Sequence, residues 1–325
     1  MGRPLRARTP TDPAAAAGCP AGRRPAELIG APGTAPAGGT HLECVVNVSE
    51  GRDEALLEEL AAACGDVLVD RHRDPHHHRA VLTLAGRSGA VEDAARALAA
   101  AVVACGDLSG HDGCHPRFGL VDVVPFVPLE RSAGGSIASP PSLTPAVAAR
   151  DRFARWAART LQLPCFVYGP LPGGATRTLP VLRRAAFAGL APDVGPPVPH
   201  PTAGACAVGA RAFLVAYNLW LADTAAMTLA RSIARAIRGP AVRSLAFDVG
   251  GRAQVSCNLV DPLTVGPAAV HDRVASLAEA AGSGVERCEL VGLMPRSVLD
   301  GVPAARWESL GLSSGTTIEA RLSWR

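Results

Sequence analysis

The loop from Gly110 to Gly119 gathers residue types that do chemistry. It holds two histidines, an aspartate, a cysteine and an arginine within seven positions. A neutral imidazole there would transfer a proton near pH 7, and the guanidinium of Arg117 would hold a carboxylate through a bidentate pair. Glycines leave the backbone free to turn, while Pro116 stiffens the exit from His115. The loop is therefore predicted to be catalytic, with a solvated turn and a capping histidine as the alternative.

A second polar cluster runs from Asp70 to Arg79 and includes three adjacent histidines, His76, His77 and His78. Adjacent histidines suggest metal binding, but neighbours in an extended loop point in different directions. Structural zinc also usually brings cysteine or a second histidine pair at fixed spacing. We therefore expect an exposed basic loop near a cleft, with a metal site as the alternative.

Weaker signals come from one cysteine and three asparagines. Cys114 stands beside His115, but adjacent residues rarely bring a thiol and an imidazole into productive contact, so a cysteine nucleophile is not favoured. Asn47, Asn218 and Asn258 each lie in or beside a predicted strand. Their amides would either form hydrogen bonds in a cleft or cap strand ends, and the sequence leaves both options open.

The composition excludes several classes of chemistry. All 32 basic residues of the 325-residue chain are arginine. Without lysine there is no PLP or Schiff-base catalysis and no P-loop or kinase lysine. No apolar run reaches the ~18–20 residues of a membrane helix, and we expect no secretory signal because no apolar stretch follows Met1. The nine cysteines form no CxxC pair, so buried thiols in a reducing cytoplasm are expected.

The positive charge is confined to the first 40 residues. This segment has five arginines against two acidic residues, which equals the net charge of +3 of the whole chain. Residues 41–325 are therefore neutral and have no field that attracts a polyanion, so we expect no nucleic-acid partner. The same segment is rich in Ala, Pro and Gly with almost no large apolar residue, which predicts a disordered tail over 1–40.

Hydrophobic periodicity predicts ordered elements from residue 42 onward. In the first half the predicted strands cover 42–48, 67–70, 80–84, 120–127 and 165–168, and the helices cover 56–64, 91–105 and 146–161. Residues 71–79 are expected to form a connection. The order is β-α-β-β-α-β, followed by one more α-β unit.

The second half is predicted to repeat this pattern. Its strands cover 212–221, 242–249, 253–260 and 287–293 with a final strand at 316–322, and its helices cover 224–237 and 268–281. Proline- and glycine-rich sequence at 169–174 and 192–204 indicates a junction between two subdomains, 41–205 and 206–325. The predicted fold class is α/β (α+β), with two βαββαβ ferredoxin-like subdomains and a ligand cleft between them.

Six blocks of the sequence resemble the glutamate formiminotransferase family. Residues 43–52, ECVVNVSEGR, resemble the family's opening ECVPNFSEGR, and residues 111–128 resemble its segment HxGEHPRxGxxDVxPFxP. Residues 192–196, 209–218, 254–259 and 290–295 match PDFGP, GARxFLxA[FY]N, QVSxNL and LVGLxP in the family's order. These matches cover both halves of the chain.

The resemblance implies a transferase that moves the formimino group of N-formimino-L-glutamate to N5 of tetrahydrofolate, without a cyclodeaminase segment. Its catalytic histidine corresponds to His115, which would take the N5 proton and return a proton to the departing glutamate amine. Tetrahydrofolate is the implied co-substrate, no metal is implied, and a cytoplasmic homodimer without membrane partners is expected. The residues implied to bind substrate are Asn47, His72, Arg79, Arg117, Gly195, Pro196, Pro197, Thr202, Gly204, Asn218 and Asn258.

Three departures from the family pattern concern the same site. Cys114 replaces the acid before the catalytic histidine, and His72 replaces an aspartate. Residues 195–204, which correspond to the family's folate segment, lack its aromatic residue. The loss of two carboxylates would lower the basicity of His115, with Asp74 or Asp112 as candidate substitutes. Two alternatives therefore stay open: a weak paralogue that binds folate or another carboxylate ligand, and a related formyl transfer.

Overall fold

The computed structural model describes residues 40–114, 117–130, 137, 142–222 and 225–322. The predicted tail over 1–40 lies outside these residues except for Thr40, and His115 also lies outside them. Two sheets divide the described chain, one of seven strands and one of four. The prediction of two α+β subdomains is confirmed.

The first sheet is built on a βαββαβ unit. Its elements are β1 (His41–Val48), α1 (Glu54–Cys64), β2 (Leu68–Asp74), β3 (Arg79–Arg87), α2 (Ser88–Cys105) and β4 (Val121–Leu129). The strand order β2-β3-β1-β4, with every pair antiparallel, is that of a ferredoxin-like sheet. Strand β2 continues through residues 71–74, which were expected to form a connection, because these residues pair with β3 as far as Arg79.

Further elements extend this sheet at the β4 edge. They are α3 (Thr144–Thr160), β5 (Cys165–Pro170), β6 (Thr176–Arg177), α4 (Leu179–Ala185) and β7 (Cys206–Ala210). Strand β7 lies between β4 and β5 and is parallel to both. It begins one residue after the predicted end of the first subdomain, so the chain changes sheets between Ala210 and Val215.

The second sheet repeats the ferredoxin-like order. Its unit consists of β8 (Val215–Leu221), α5 (Met227–Ala236), β9 (Val242–Val249), β10 (Arg252–Leu259), α6 (Pro267–Glu279) and β11 (Val285–Val291). The strand order is β11-β8-β10-β9, and all pairs are antiparallel. The prediction of a repeated βαββαβ unit is confirmed.

Two short helices, α7 (Arg296–Asp300) and α8 (Ile318–Arg321), follow the second unit. The predicted final strand over 316–322 is therefore wrong. Thr317 is extended and its hydroxyl accepts a hydrogen bond from the backbone N–H of Ala320 at 3.3 Å. A threonine in this position caps a helix, and the cap outweighs the β-forming character of the run.

Each sheet buries one face under its own helices. In β1 the alternate residues Cys44, Val46 and Val48 are fully buried against α1 and α2, because successive side chains of a strand point to opposite faces. Burial of a valine side chain contributes about 1.5–3 kcal/mol. In the second sheet Val255 and Leu259 pack against α5 and α6 in the same way.

The uncovered faces of the two sheets turn toward each other. A separate apolar cluster joins them and combines Ala85, Val127, Leu129 and Ile137 with Phe213, Leu293, Ile318 and Leu322. Helix α4 covers the β5–β7 part of the first sheet's inward face. Within the described residues no helix has the length and apolar character needed to cross a bilayer.

Candidate functional site

The two polar clusters singled out in the sequence meet at one end of β3. The N–H of Cys114 donates to the carbonyl of His76 at 3.5 Å, and the His111 Nε2 atom lies 3.0 Å from the carbonyl of His78. The rings of His78 and His111 stack at 4.0 Å between centroids. Burial, together with the charges of His78 and Arg117, lowers the pKa of His111. The two segments therefore form one surface.

Arg117 connects the end of the loop to its first half. Its guanidinium donates to the carbonyls of His111, at 3.2 Å, and of Gly113, and burial lowers the pKa of this guanidinium. Gly119 packs against the segment that contains Ala205, where a Cβ atom on Gly119 would stand 2.2 Å from the carbonyl oxygen of Ala205. Only glycine permits this approach.

Arg79 lies at the centre of a buried polar network on the inward face of the first sheet. Its Nε and Nη2 atoms donate to Asn47 Oδ1 at 3.1 and 2.5 Å, and its Nη1 atom lies 3.4 Å from Asp122 Oδ2. Burial lowers the pKa of the Arg79 guanidinium to about 10, although Asp122 opposes the shift. Two residues predicted to bind substrate, Asn47 and Arg79, are thus brought together.

Asp122 and Arg183 complete this network and were not predicted. Asp122 is 1% exposed, and its carboxylate accepts from the N–H of Phe118 and from Arg183 Nη2, both at 2.6 Å. The Arg183 guanidinium also lies over the ring of Phe118. An acid inside the apolar run of β4 is the signal in the sequence that would have indicated Asp122.

The predicted folate segment divides between two places. Thr202 accepts at its carbonyl from the N–H of Leu108 at 2.9 Å, and Gly204 bridges Gly119, so this end adjoins the loop. Gly195 instead lies against Leu163, which follows α3, beside a cavity of about 410 Å³. Pro196 is half-buried and Pro197 is exposed in the same region.

The second sheet presents polar side chains to the same inter-sheet space. Asn218 is 8% exposed and its Nδ2 atom donates to Glu289 Oε2 at 3.3 Å. His72 of the first sheet approaches the same carboxylate, with 3.8 Å between Nε2 and Oε1. Asn258 is exposed on β10. Glu289 was not predicted, and it links the two sheets.

Both acids considered as substitutes for the missing carboxylates have other partners. Asp112 forms an exposed pair with Arg52 at 2.7 Å. Asp74 contacts His77 at 2.6 Å between Oδ2 and Nδ1. The thiol of Cys114 is exposed, and burial of part of the group, followed by the charge of Asp74, raises its pKa.

The three adjacent histidines diverge. His76 faces Gly250 of the second subdomain, His77 is bound to Asp74, and His78 stacks on His111. Among the residues that the structure describes, no group of three or more His, Cys, Asp or Glu side chains is arranged to hold a metal ion.

The arrangement therefore combines half-buried guanidinium groups with a histidine-bearing loop, at the face where two ferredoxin-like sheets meet. Arginine in a buried setting is suited to binding carboxylates, and an adjacent imidazole is suited to proton transfer. This combination is typical of a site that binds an anionic small molecule and moves a proton.

Comparison with known proteins identifies the family. Residues 41–211 match the N-terminal subdomain of the formiminotransferase domain, and the chain belongs to this family. It is 33% identical to the glutamate formimidoyltransferase of Streptococcus pyogenes over 282 residues, which cover 79% of this chain and 90% of the relative. The prediction of a transferase is confirmed.

Two further relatives cover the chain to a similar extent. A glutamate formimidoyltransferase of Thermoplasma acidophilum is 32% identical over 86% of this chain and 97% of its own length. The formimidoyltransferase-cyclodeaminase of Sus scrofa is 31% identical over 79% of this chain, and the match covers 51% of that protein. The similarity therefore extends through both sheets.

Proposed function

We propose that this protein transfers the formimino group of N-formimino-L-glutamate to N5 of tetrahydrofolate, with L-glutamate and 5-formiminotetrahydrofolate as products. The observation that carries the proposal is the buried network of Arg79, Asn47, Asp122 and Arg183 next to the loop that contains His115. The names of the relatives support it, since they are glutamate formimidoyltransferases.

The arginines suit this pair of substrates because both substrates carry carboxylates. Arg79 and Arg183 both contact Oδ2 of Asp122, and Asp122 is tied to the loop through the N–H of Phe118. Charge-assisted hydrogen bonds from guanidinium groups are about twice as strong as neutral ones. We assign Arg79, Arg117 and Arg183 to substrate carboxylates, with Asn47 holding Arg79 in place.

The proposed role of His115 is proton transfer. Tetrahydrofolate supplies the nucleophilic N5 when bound. His115 accepts the N5 proton as the new C–N bond forms, and it donates a proton to the glutamate nitrogen as the old C–N bond breaks. One histidine thus serves first as base and then as acid, and no net proton is consumed.

The remaining predicted residues are assigned to positioning the two substrates. Thr202 and Gly204 adjoin the loop and would contact the folate, together with Gly195, Pro196 and Pro197 at the other end of the segment. On the second sheet, Asn218 and Asn258 would contact the substrates from the inter-sheet space, and His72 approaches Asn218 through Glu289.

The test is direct transfer by the purified chain. Incubation with N-formimino-L-glutamate and tetrahydrofolate is expected to release glutamate and to form the absorbing 5-formimino product in equal amounts. Reactions that lack either substrate are the controls. Absence of both products would refute the proposal.

We also propose that the protein is a cytoplasmic homodimer. A mass of twice the 33.3 kDa of the chain in light scattering would support the homodimer, and cell fractionation would test the cytoplasmic location.

One observation favours the alternative of a weak paralogue. Asp74 and Asp112 are engaged by His77 and Arg52, so neither is positioned as a free substitute for the missing acids. Calorimetry with tetrahydrofolate separates the cases, because binding without transfer would support the paralogue and absence of binding would contradict both. Formyl transfer is tested by offering 5-formyltetrahydrofolate and glutamate.

A further inference from the structure

The half-buried Asp74 and the buried His77 form a pair in the β2–β3 turn. His77 is 7% exposed, and its Nδ1 atom lies 2.6 Å from Asp74 Oδ2. The other carboxylate oxygen, Oδ1, accepts from the backbone N–H groups of His76 at 2.8 Å and His77 at 2.9 Å. Burial raises the pKa of Asp74, but the hydrogen bonds from His77 outweigh it and bring the pKa to about 2. The carboxylate of Asp74 is therefore ionised at neutral pH, and His77 is held against it.

On one side this pair contacts the second subdomain. The ring of His77 meets the ring of Phe247 in β9 edge-on, at 5.2 Å between centroids and 82° between planes. Next to it, His76 faces Gly250 in the β9–β10 turn, where a Cβ atom would stand 3.0 Å from the imidazole. Edge-to-face aromatic pairs contribute about 0.5–1.5 kcal/mol beyond the burial of their area. The turn is thus seated on the β9–β10 hairpin.

On the other side the same turn contacts the histidine-bearing loop. The carbonyl of His77 lies so close to Gly113 that a Cβ atom there would stand 2.2 Å from it. The carbonyl of His76 accepts from the N–H of Cys114 at 3.5 Å. Cys114 immediately precedes His115, so the backbone of the turn is in contact with the residues that lead into the proposed catalytic position.

We propose that Asp74 and His77 are positioning residues for the loop that carries His115. Through them, the position of the second subdomain determines the position of that loop. The inference rests on the proposed function for its kinetic consequence. Asp74 fixes the imidazole of His77, Phe247 fixes its ring, and the backbone of His77 then limits where Gly113 and Cys114 lie. Neither side chain touches the reacting atoms in this account.

A kinetic consequence follows from the way a general base contributes. A displaced base stabilises the transition state less, while ground-state binding stays largely intact. The value of kcat therefore falls more than KM rises. Misplacement by about 1 Å costs up to about 100-fold. A residue with a merely structural role would instead lower the melting temperature and leave the kcat of the folded enzyme unchanged.

The test compares Phe247→Leu with Phe247→Tyr, because the first removes the aromatic edge contact and the second keeps it. Leu263→Ala, at an exposed position remote from both contacts, is the matched control. We expect Phe247→Leu to lower kcat about 10-fold with less than a twofold change in KM. The Phe247→Tyr variant should keep the wild-type rate. His77→Gln, measured on its folded fraction, should lower kcat in the same way.

Amide exchange supplies a readout that does not depend on activity. Deuterium uptake by the peptide over residues 110–118 should be faster in Phe247→Leu than in the wild type and the Leu263→Ala control. Unchanged kcat and unchanged uptake in folded Phe247→Leu and His77→Gln would overturn the inference. If the wild type itself gives no transfer, the proposed function fails, and the exchange comparison still decides whether Phe247 and His77 position the loop.

Discussion

Arg79 and Asn47 are joined by two hydrogen bonds from the guanidinium to a single amide oxygen, at 2.5 and 3.1 Å. The contact links the start of β3 to the end of β1, which are the neighbouring strands at the centre of the βαββαβ unit. It fixes the direction of a buried cation on the face shared with the second subdomain. The site therefore contains a preorganised guanidinium rather than a mobile surface arginine.

Substitution of Arg79 by lysine should weaken substrate binding while the positive charge is retained. Lysine cannot reproduce the planar fork that contacts Asn47 and a carboxylate together. Loss of one charge-assisted hydrogen bond costs about 1.5–3 kcal/mol, so we expect KM for N-formimino-L-glutamate to rise at least about 10-fold. Steady-state kinetics check this, with the exposed Arg296→Lys as control. An unchanged KM would show that Arg79 does not bind the substrate.

Substitution of Asp122 by asparagine should destabilise the fold. The change removes a buried charge from between Arg79 and Arg183, and breaking a buried ion pair on one side typically costs about 3–5 kcal/mol. Urea denaturation measures the free energy of unfolding. The matched control is Asp300→Asn, which breaks the exposed pair with Arg296 and should change stability little. If both substitutions lowered the free energy of unfolding equally, the network around Asp122 would not be a special source of stability.

Glu43 should make stability depend on pH. Burial raises its pKa from 4.5 to about 7, which Arg211 partly opposes, and it pairs across the sheet with Ala85 and Val127 at the apolar cluster between the sheets. The folded state thus holds the proton more tightly than the unfolded state. Its contribution is fully present below about pH 4.5, declines as the pH rises, and is lost above about pH 7.

The Glu43→Gln variant isolates this effect. The difference between pKa values of 4.5 and about 7 corresponds to roughly 3 kcal/mol. Urea denaturation at pH 5 and pH 8 should show a smaller loss of stability for Glu43→Gln than for the wild type. The same loss in both proteins would contradict a buried, protonated Glu43.

Restoration of the two missing acids tests whether the chain is a weak paralogue. Cys114→Glu with His72→Asp should raise the transfer rate if His115 lacks a carboxylate to orient it. Since His72 lies 3.8 Å from Glu289, the new aspartate would meet a like charge, and Glu289→Gln should be added to relieve it. An unchanged rate in both the double and the triple variant would show that the missing acids do not limit catalysis.

The repeated unit could be predicted from the sequence because its signal is local. The buried strands β1, β3, β9 and β10 are runs or alternations of apolar residues, and the helices show a 3.6-residue spacing. Strand β7 carries no such signal, since CAVGA is short and made of small residues. Its place between β4 and β5 depends on parallel pairing with strands distant in the chain. Local patterns do not contain this information.

The site was predicted only in part, because local clusters of polar residues are visible in the sequence but long-range contacts are not. Residues 70–79 and 110–119 are dense in polar groups, and the structure brings them together. Asp122 and Arg183 are 61 positions apart, so only the tertiary fold reveals their contact. The divergence of the histidines at 76–78 was expected from their adjacency, but their individual partners were not. In the structure each has a different partner, because the turn lies between the loop and the second subdomain.

The role of His115 is the central claim, and the transfer rate of His115→Ala tests it most directly. The account predicts that this substitution lowers kcat by about 10²–10⁴-fold with tetrahydrofolate and N-formimino-L-glutamate. The His271→Ala control, in a helix of the second subdomain, should retain the wild-type rate. Transfer by His115→Ala at the rate of the wild type would contradict the account.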